Sequence, residues 1–153
     1  MKTDKEAIVF LLADDDEDDR LLTADALRAA KVANELKTVN DGEELMDYLH
    51  HRGNYAPPAA SPRPGLILLD LNMPRKDGRE ALREIKADPE LRSIPVVILT
   101  TSRTEAEINR TYELGANSFM AKPVTFESLV QAMGVVANYW FQIVELPNGE
   151  KDY

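Results

Sequence analysis

The chain contains no cysteine. Disulfides, zinc–thiolate centres, iron–sulfur clusters and cysteine nucleophiles are therefore excluded. Histidine is scarce: the two present, His50 and His51, close a predicted helix and read as exposed rather than catalytic. Positive charge is in deficit, with 18 Lys plus Arg against 27 Asp plus Glu and a net charge of −9. Nucleic acid and anionic membranes repel such a chain, so neither is an expected partner. No apolar run approaches the roughly 20 residues that cross a bilayer. The opening Met1-Lys2-Thr3-Asp4-Lys5-Glu6 has no signal-peptide pattern. There is no G-x-G-x-x-G and no Walker-type lysine motif, so nucleotide binding has no support. The expectation that remains is a soluble, cytoplasmic protein of 153 residues, a length suited to one hydrophobic core.

What is present is a rhythm. Ala7–Ala13, Leu66–Leu69 and Val96–Leu99 are short, almost wholly apolar runs. A parallel strand covered on both faces requires such runs. Glu35–Asn40 and Asn117–Ala121 are weaker strand candidates. Helical patterns lie between them: Leu22, Ala26 and Ala29; Leu45 and Leu49 after Asp41-Gly42; Leu82 and Ile85 after Asp77-Gly78, closed by Asp88-Pro89. Thr104 with Glu107 fits a capping box, and Gly115 suits the position after a helix end. A last helix starts near Thr125 and carries Phe126, Leu129, Val130, Met133, Val136, Ala137 and Trp140 on one broad face. Five β-α repeats predict an α/β fold: a doubly wound five-stranded parallel sheet with helices on both faces. An eight-stranded barrel needs about 250 residues. The connection from Arg52 to Gly65, with Pro57, Pro58, Pro62 and Pro64, reads equally as a tolerated insertion or an interaction loop.

In open α/β sheets ligands sit beyond the C-terminal ends of the strands. The residues after each apolar run therefore carry the chemistry. After the first comes Asp14-Asp15-Asp16-Glu17-Asp18-Asp19, after the third strand Asp70, after the fourth Thr100 and Thr101, after the fifth Lys122-Pro123. Asp16 to Asp19 can simply favour a helix N-terminus. Asp14 and Asp15 end a strand and must point into or beside the crevice. With Asp70 they form a mutually repelling set that calls for a counter-ion. Hard oxygen donors favour Mg²⁺ or Mn²⁺ over zinc. Asp70 is either a turn cap or a carboxylate nucleophile toward phosphorus. The second role needs a cation, a fixed positive side chain and a hydroxyl donor. Lys122 and Thr100 can supply the last two, although either alone is unremarkable.

Together, Phe10-Leu11-Leu12-Ala13-Asp14-Asp15-Asp16, Leu68-Leu69-Asp70-Leu71-Asn72-Met73-Pro74 with Asp77-Gly78, Val97-Ile98-Leu99-Thr100 and Ala121-Lys122-Pro123 resemble the receiver domain of two-component response regulators. The resemblance covers residues 7–140 and implies a flavodoxin-like sheet of order 2-1-3-4-5. It implies that Asp70 is the phosphoacceptor for a sensor histidine kinase, and that Asp14 and Asp15 bind Mg²⁺ directly or through water. Asn72 would lend its backbone carbonyl to the metal. Thr100 would hydrogen-bond the phosphoryl group and move toward it, and Lys122 would pair with its oxygens. The Lys122–Pro123 bond would be cis. Phe119 falls at the aromatic switch position, where burial of the ring would carry the signal. The implied protein is a phosphoacceptor rather than a multiple-turnover enzyme, passing its signal to a downstream protein or phosphotransfer partner.

The region around Ser61-Pro62-Arg63-Pro64 and the tail Asn138-Tyr139-Trp140-Phe141-Gln142-Ile143-Val144-Glu145-Leu146-Pro147 resemble the stand-alone regulators paired with bacterial phytochrome kinases. The domain is expected over residues 1–144, with 145–153 as a tail able to make a dimer contact. A helix from Thr125 to Val144 would be about 30 Å long, longer than a six-residue strand at about 20 Å. Its end should overhang, exposing Trp140, Phe141, Ile143 and Val144 as a homodimer interface; folding back on the domain is the alternative. The chain ends soon after this helix, which leaves no expected room for a DNA-binding domain. Two other functions compete. Phosphohydrolases resembling the haloacid-dehalogenase group use a second Asp two residues after the nucleophile, where this chain has Asn72. A receiver-like module that is never phosphorylated would not need Asp70, Thr100 and Lys122 together.

Overall fold

The structure, a computed structural model, describes residues 8–59, 61–101 and 104–140. Five strands, β1 (Val9–Ala13), β2 (Leu36–Val39), β3 (Pro64–Leu69), β4 (Val96–Thr100) and β5 (Ser118–Ala121), alternate with helices α1 (Glu17–Ala29), α2 (Gly42–His50), α3 (Gly78–Ala87), α4 (Glu105–Glu113) and α5 (Phe126–Asn138). All neighbours pair in parallel, in the order β2-β1-β3-β4-β5. The predicted architecture and strand order are those observed.

Side chains alternate across a strand, so each buried strand feeds two cores. Leu11, Ile67, Leu69 and Ile98 pack with Leu45, Leu82 and Ile85 on the face covered by α2 and α3. Phe10, Leu12, Leu66, Leu68, Val97 and Leu99 pack with Ala26, Leu27, Met133 and Val136 on the face covered by α1 and α5. Each fully buried Leu or Ile contributes roughly 1.5–3 kcal/mol relative to exposure. The three central strands are buried at nearly every position, which is why β1, β3 and β4 read as unbroken apolar runs. The edge strands are half exposed and read weakly. Asn117 stands outside β5, yet its backbone N–H donates to Val96 O at 2.8 Å and its Oδ1 accepts from Val96 N at 2.9 Å. It pairs like a strand residue without being one.

Helix α1 departs from expectation. Its buried residues are Thr23, Ala26 and Leu27, while Leu22 and Ala29 are exposed. Thr23 fits because its hydroxyl donates to Asp19 O at 2.8 Å, which satisfies its polar atom and leaves its methyl for the core. Leu22 is instead turned toward a cleft shared with Lys122, Val124 and Phe126. Thr104 caps its helix as predicted, and Asp41, Asp77 and Thr125 do the same for theirs, each accepting a first-turn N–H. The capping box at Thr104 is half formed, because the Glu107 side chain turns to Arg79 instead.

The connection after α2 is packed down. Tyr55 sits edge-on to Tyr48 with centroids 5.1 Å apart, and its hydroxyl donates to Glu44 at 2.6 Å. Tyr48 donates to Pro62 O at 2.8 Å, and Arg63 donates to Glu90 O at 2.6 Å. Burial, aided by the charge of Glu35, pushes the Tyr48 hydroxyl up to about 12. The folded chain therefore holds this proton at pH values where the unfolded chain, near 10, releases it. Stability should fall between pH 10 and 12. Tyr48→Phe should flatten this alkaline slope in part, because the Tyr55 hydroxyl, raised by burial and by Glu44, contributes in the same direction; the reading is melting midpoint against pH.

Helix α5 starts where predicted and runs to Asn138, followed by a wider turn at Tyr139 and Trp140; the predicted continuation to Val144 lies outside the described residues. Trp140 is half buried against its own α1–α5 core and edge-on to Tyr139. Phe141, Ile143, Val144 and the tail 145–153 lie outside the described residues.

Candidate functional site

Four strand ends converge above the sheet. Pairing β1 between β2 and β3 sets Asp14 and Asp70 side by side: Asp70 N donates to Ala13 O at 3.0 Å. Pairing β4 with β5 sets Lys122 beside Thr100, with Lys122 N donating to Thr100 O at 2.9 Å. The ammonium of Lys122 then reaches Asp14 Oδ2 at 3.0 Å, Asp19 Oδ2 at 2.9 Å and Asp70 Oδ2 at 3.1 Å. Asp14, Asp70 and Thr100 are buried, whereas Asp15 is exposed.

The second oxygens of both buried acids are held. Asp14 Oδ1 accepts from Asp16 N at 3.0 Å, and Asp70 Oδ1 accepts from Asn72 N at 3.1 Å. Asn72 Nδ2 also donates to Thr100 Oγ1 at 3.4 Å, bridging the tips of β3 and β4. Arg20 donates to the Asp14 carbonyl at 2.8 Å and so ties α1 to the end of β1.

Burial raises the Asp14 carboxyl above its ordinary value, against the lowering effect of the Asp16 N–H and Lys122. Burial works against the charged Lys122 as well, but hydrogen bonds to Asp19 and Asp14 and the charge of Asp70 outweigh it. Its pKa is raised, so it is cationic at neutral pH. Asp14, Asp19 and Asp70 nevertheless put three carboxylates on one ammonium, with Asp15 close to two of them. Oxygens of Asp14, Asp15 and Asp70 lie within 4.8 Å of one another. An all-oxygen set with excess negative charge fits a hard divalent cation, and a cation there would relieve the cost of keeping Asp14 charged.

The predicted residues Asp14, Asp15, Asp70, Asn72, Thr100 and Lys122 are thus brought together. Phe119 is apart from them, on β5, half buried against the α2–α3 core. Its backbone N–H donates to the Tyr112 hydroxyl at 3.1 Å. The Lys122–Pro123 bond is trans, contrary to expectation; among the described residues the cis bond is Pro57–Pro58. Trans X-Pro is the intrinsically favoured form by about 0.5–1 kcal/mol. Here it already delivers the ammonium to all three carboxylates. Asp19 was read only as a favourable charge in the first turn of α1. Its place follows from the cap: with Asp16 accepting from Asp18 N and Asp19 N, the first turn carries Asp19 back toward the strand ends. That local geometry turns Asp19 toward the crevice, but nothing near it in the chain names Lys122 as its partner.

Residues 10–134 match the response regulator receiver domain. The response regulator Rcp1 of Synechocystis sp. is 41% identical over 139 residues, covering 91% of this chain and 92% of the relative. The solved structure of the phosphorylated cyanobacterial phytochrome response regulator RcpA superposes with a TM-score of 0.85 at 42% identity, covering 93% of this chain and 99% of that one. The Mn²⁺-bound form of Rcp1 gives 0.83 at 40% identity, covering 92% and 99%. The chain belongs to the response regulator receiver family. Among the described residues no helix is long and apolar enough to cross a membrane.

Proposed function

We propose that this chain is cytoplasmic, that Asp70 is its phosphoacceptor for a sensor histidine kinase, and that the kinase is of the phytochrome type, as the name of the relative RcpA suggests. The observation that carries this reading is the single ammonium of Lys122 shared by Asp14 and Asp70 at 3.0 and 3.1 Å. An Asp70 oxygen attacks phosphorus, an O–P bond forms, and the N–P bond of the phosphohistidine breaks. The imidazole leaves with the bonding electrons. Asp14, Asp15, Asp70 and the Asn72 carbonyl are the groups that would hold Mg²⁺, or Mn²⁺, whose charge offsets that of the entering phosphoryl oxygens. Lys122 stays put and exchanges carboxylate partners for phosphoryl oxygens. Thr100 presents its hydroxyl from the neighbouring strand end. The switch would run from Thr100 along β4 to β5 and the Phe119 ring, a shift of population between two packings.

The donor must approach Asp70 from outside. Beside the crevice stand Leu22, Val124 and Phe126, which are 45%, 99% and 42% exposed. This apolar rim is where the kinase seats. Phosphotransfer profiling against the histidine kinases of the same genome tests the assignment, with preferential transfer from a phytochrome-type kinase expected. Transfer only from unrelated kinases would remove the pathway. Mg²⁺ alone should raise the melting midpoint, and a hundredfold excess over its dissociation constant is worth about 2.7 kcal/mol. Asp14→Asn should abolish that gain.

A homodimer through the end of α5 is the proposed assembly. Val135 and Tyr139 are exposed there, beside a groove lined by Val97, Met120 and Trp140. Sedimentation of the protein and of a Trp140→Ala, Phe141→Ala variant tests it. A wild-type monomer at every concentration would end it.

A further inference from the structure

We propose that Asp41 and Arg75 are a positioning pair for the divalent cation and for Asp70, acting through the loop that joins β3 to α3. The inference rests on the reading of Asp70 and its cation given above. Neither residue lies in the crevice. Asp41 follows β2 and caps α2, with Oδ1 accepting from Glu44 N at 2.8 Å. A cap uses one oxygen and is usually exposed, but Asp41 is only 2% exposed. Its other oxygen is taken by Arg75, through Nε at 2.9 Å and through Nη2. A buried carboxylate needs such compensation.

Arg75 is unusual in its own backbone. It sits at the tip of the loop with φ +64°, in the left-handed region where a residue with a Cβ is disfavoured. Such a conformation persists where the surroundings over-determine it. Here the surroundings are the N-terminus of α2. Gly42 N donates to Lys76 O at 2.9 Å, next to the Asp41–Arg75 pair. A Cβ on Gly42 would come within 2.1 Å of that same carbonyl oxygen, so the loop lies directly on the helix backbone.

The near end of the loop is the site itself. Asn72 N–H holds Asp70 Oδ1, Asn72 Nδ2 reaches Thr100, and Gly78 N closes the base on Leu71 O at 2.9 Å. One short segment is therefore tied to Asp41 at one end and to Asp70 and Thr100 at the other. Releasing the far tie lets the near end shift, including the Asn72 carbonyl assigned to the cation. Groups that hydrogen-bond a metal ligand typically change metal affinity by about 10–100-fold, and a tie one step further out should fall at the lower end.

Three variants test the pair: Arg75→Ala, Arg75→Gly and Arg75→Lys. Mg²⁺ affinity is measured by calorimetry, beside the metal-free melting midpoint and the rate of modification by acetyl phosphate. Arg75→Ala should weaken Mg²⁺ about tenfold. Arg75→Gly relieves the left-handed backbone and should melt no lower than Arg75→Ala, yet bind Mg²⁺ as poorly. Arg75→Lys should recover part of the affinity. Wild-type Mg²⁺ affinity in Arg75→Ala, or its return in Arg75→Gly along with stability, overturns the proposal. If the wild-type chain binds no Mg²⁺, or Asp70→Asn is still modified, the reading of the crevice falls first and the pair with it.

Discussion

Asp70→Asn should take up no phosphoryl group from acetyl phosphate and Mg²⁺, where the wild-type chain gains one. The measurement is intact mass, with the modified peptide located by fragmentation. An amide has no carboxylate oxygen to attack phosphorus, so the loss is of the whole reaction and not of a fraction of it. The fold should survive. Lys122 keeps Asp14 at 3.0 Å and Asp19 at 2.9 Å, and one repelling charge is gone. The melting midpoint in the absence of metal should correspond to a change within about 1 kcal/mol. Divalent-cation affinity should fall, because one of three clustered carboxylates is lost. Modification that persists at another residue would place the phosphoacceptor elsewhere.

Gly78→Ala should damage both the fold and the site. The added Cβ would stand 2.2 Å from Asp70 O and 2.7 Å from Leu71 Cα, both backbone atoms that cannot rotate away. Either the start of α3 or the end of β3 must move. The cost should be about 3 kcal/mol. At roughly 2–4 °C per kcal/mol for a chain of this size, the melting midpoint should fall by about 6–12 °C. Because the atom displaced belongs to Asp70 itself, modification by acetyl phosphate should also slow well below the transition. Gly134→Ala is the control. Its Cβ would meet only the Ala30 Cβ at 3.6 Å, an ordinary contact in the middle of α5. There the better helix former should gain up to about 1 kcal/mol. A Gly78→Ala protein that melts like the wild type would show that this close approach is absent.

The legible parts of the fold share a cause. β1, β3 and β4 are buried on both sides, so each must be apolar throughout and must stop where polar chemistry begins. Asp14, Asp70 and Thr100 were found from where those runs end. Lys122 was found from its place before proline at the end of a weaker strand. The rotation of α1 is only partly legible, because alanines and leucines lie on several of its faces; packing against the sheet and α5 keeps Ala26 and selects Thr23 and Leu27 in place of Leu22 and Ala29. The packing of the segment after α2, which reads equally as an insertion or an interaction loop, is not legible because its anchors are tyrosines on α2 and on the segment itself.

Five parallel strands, their crevice and most of the side chains that meet in it could be read along the chain, because burial and strand ends leave a local pattern of residue types. The meeting of Asp19 with Lys122, 103 positions apart, left no such pattern. Nor did that of Asp41 with Arg75, 34 positions apart. Both depend on how α1 and α2 are turned against the sheet. That turning is set by side-chain packing across the whole domain, and an ion pair between distant positions is decided only once those elements have met.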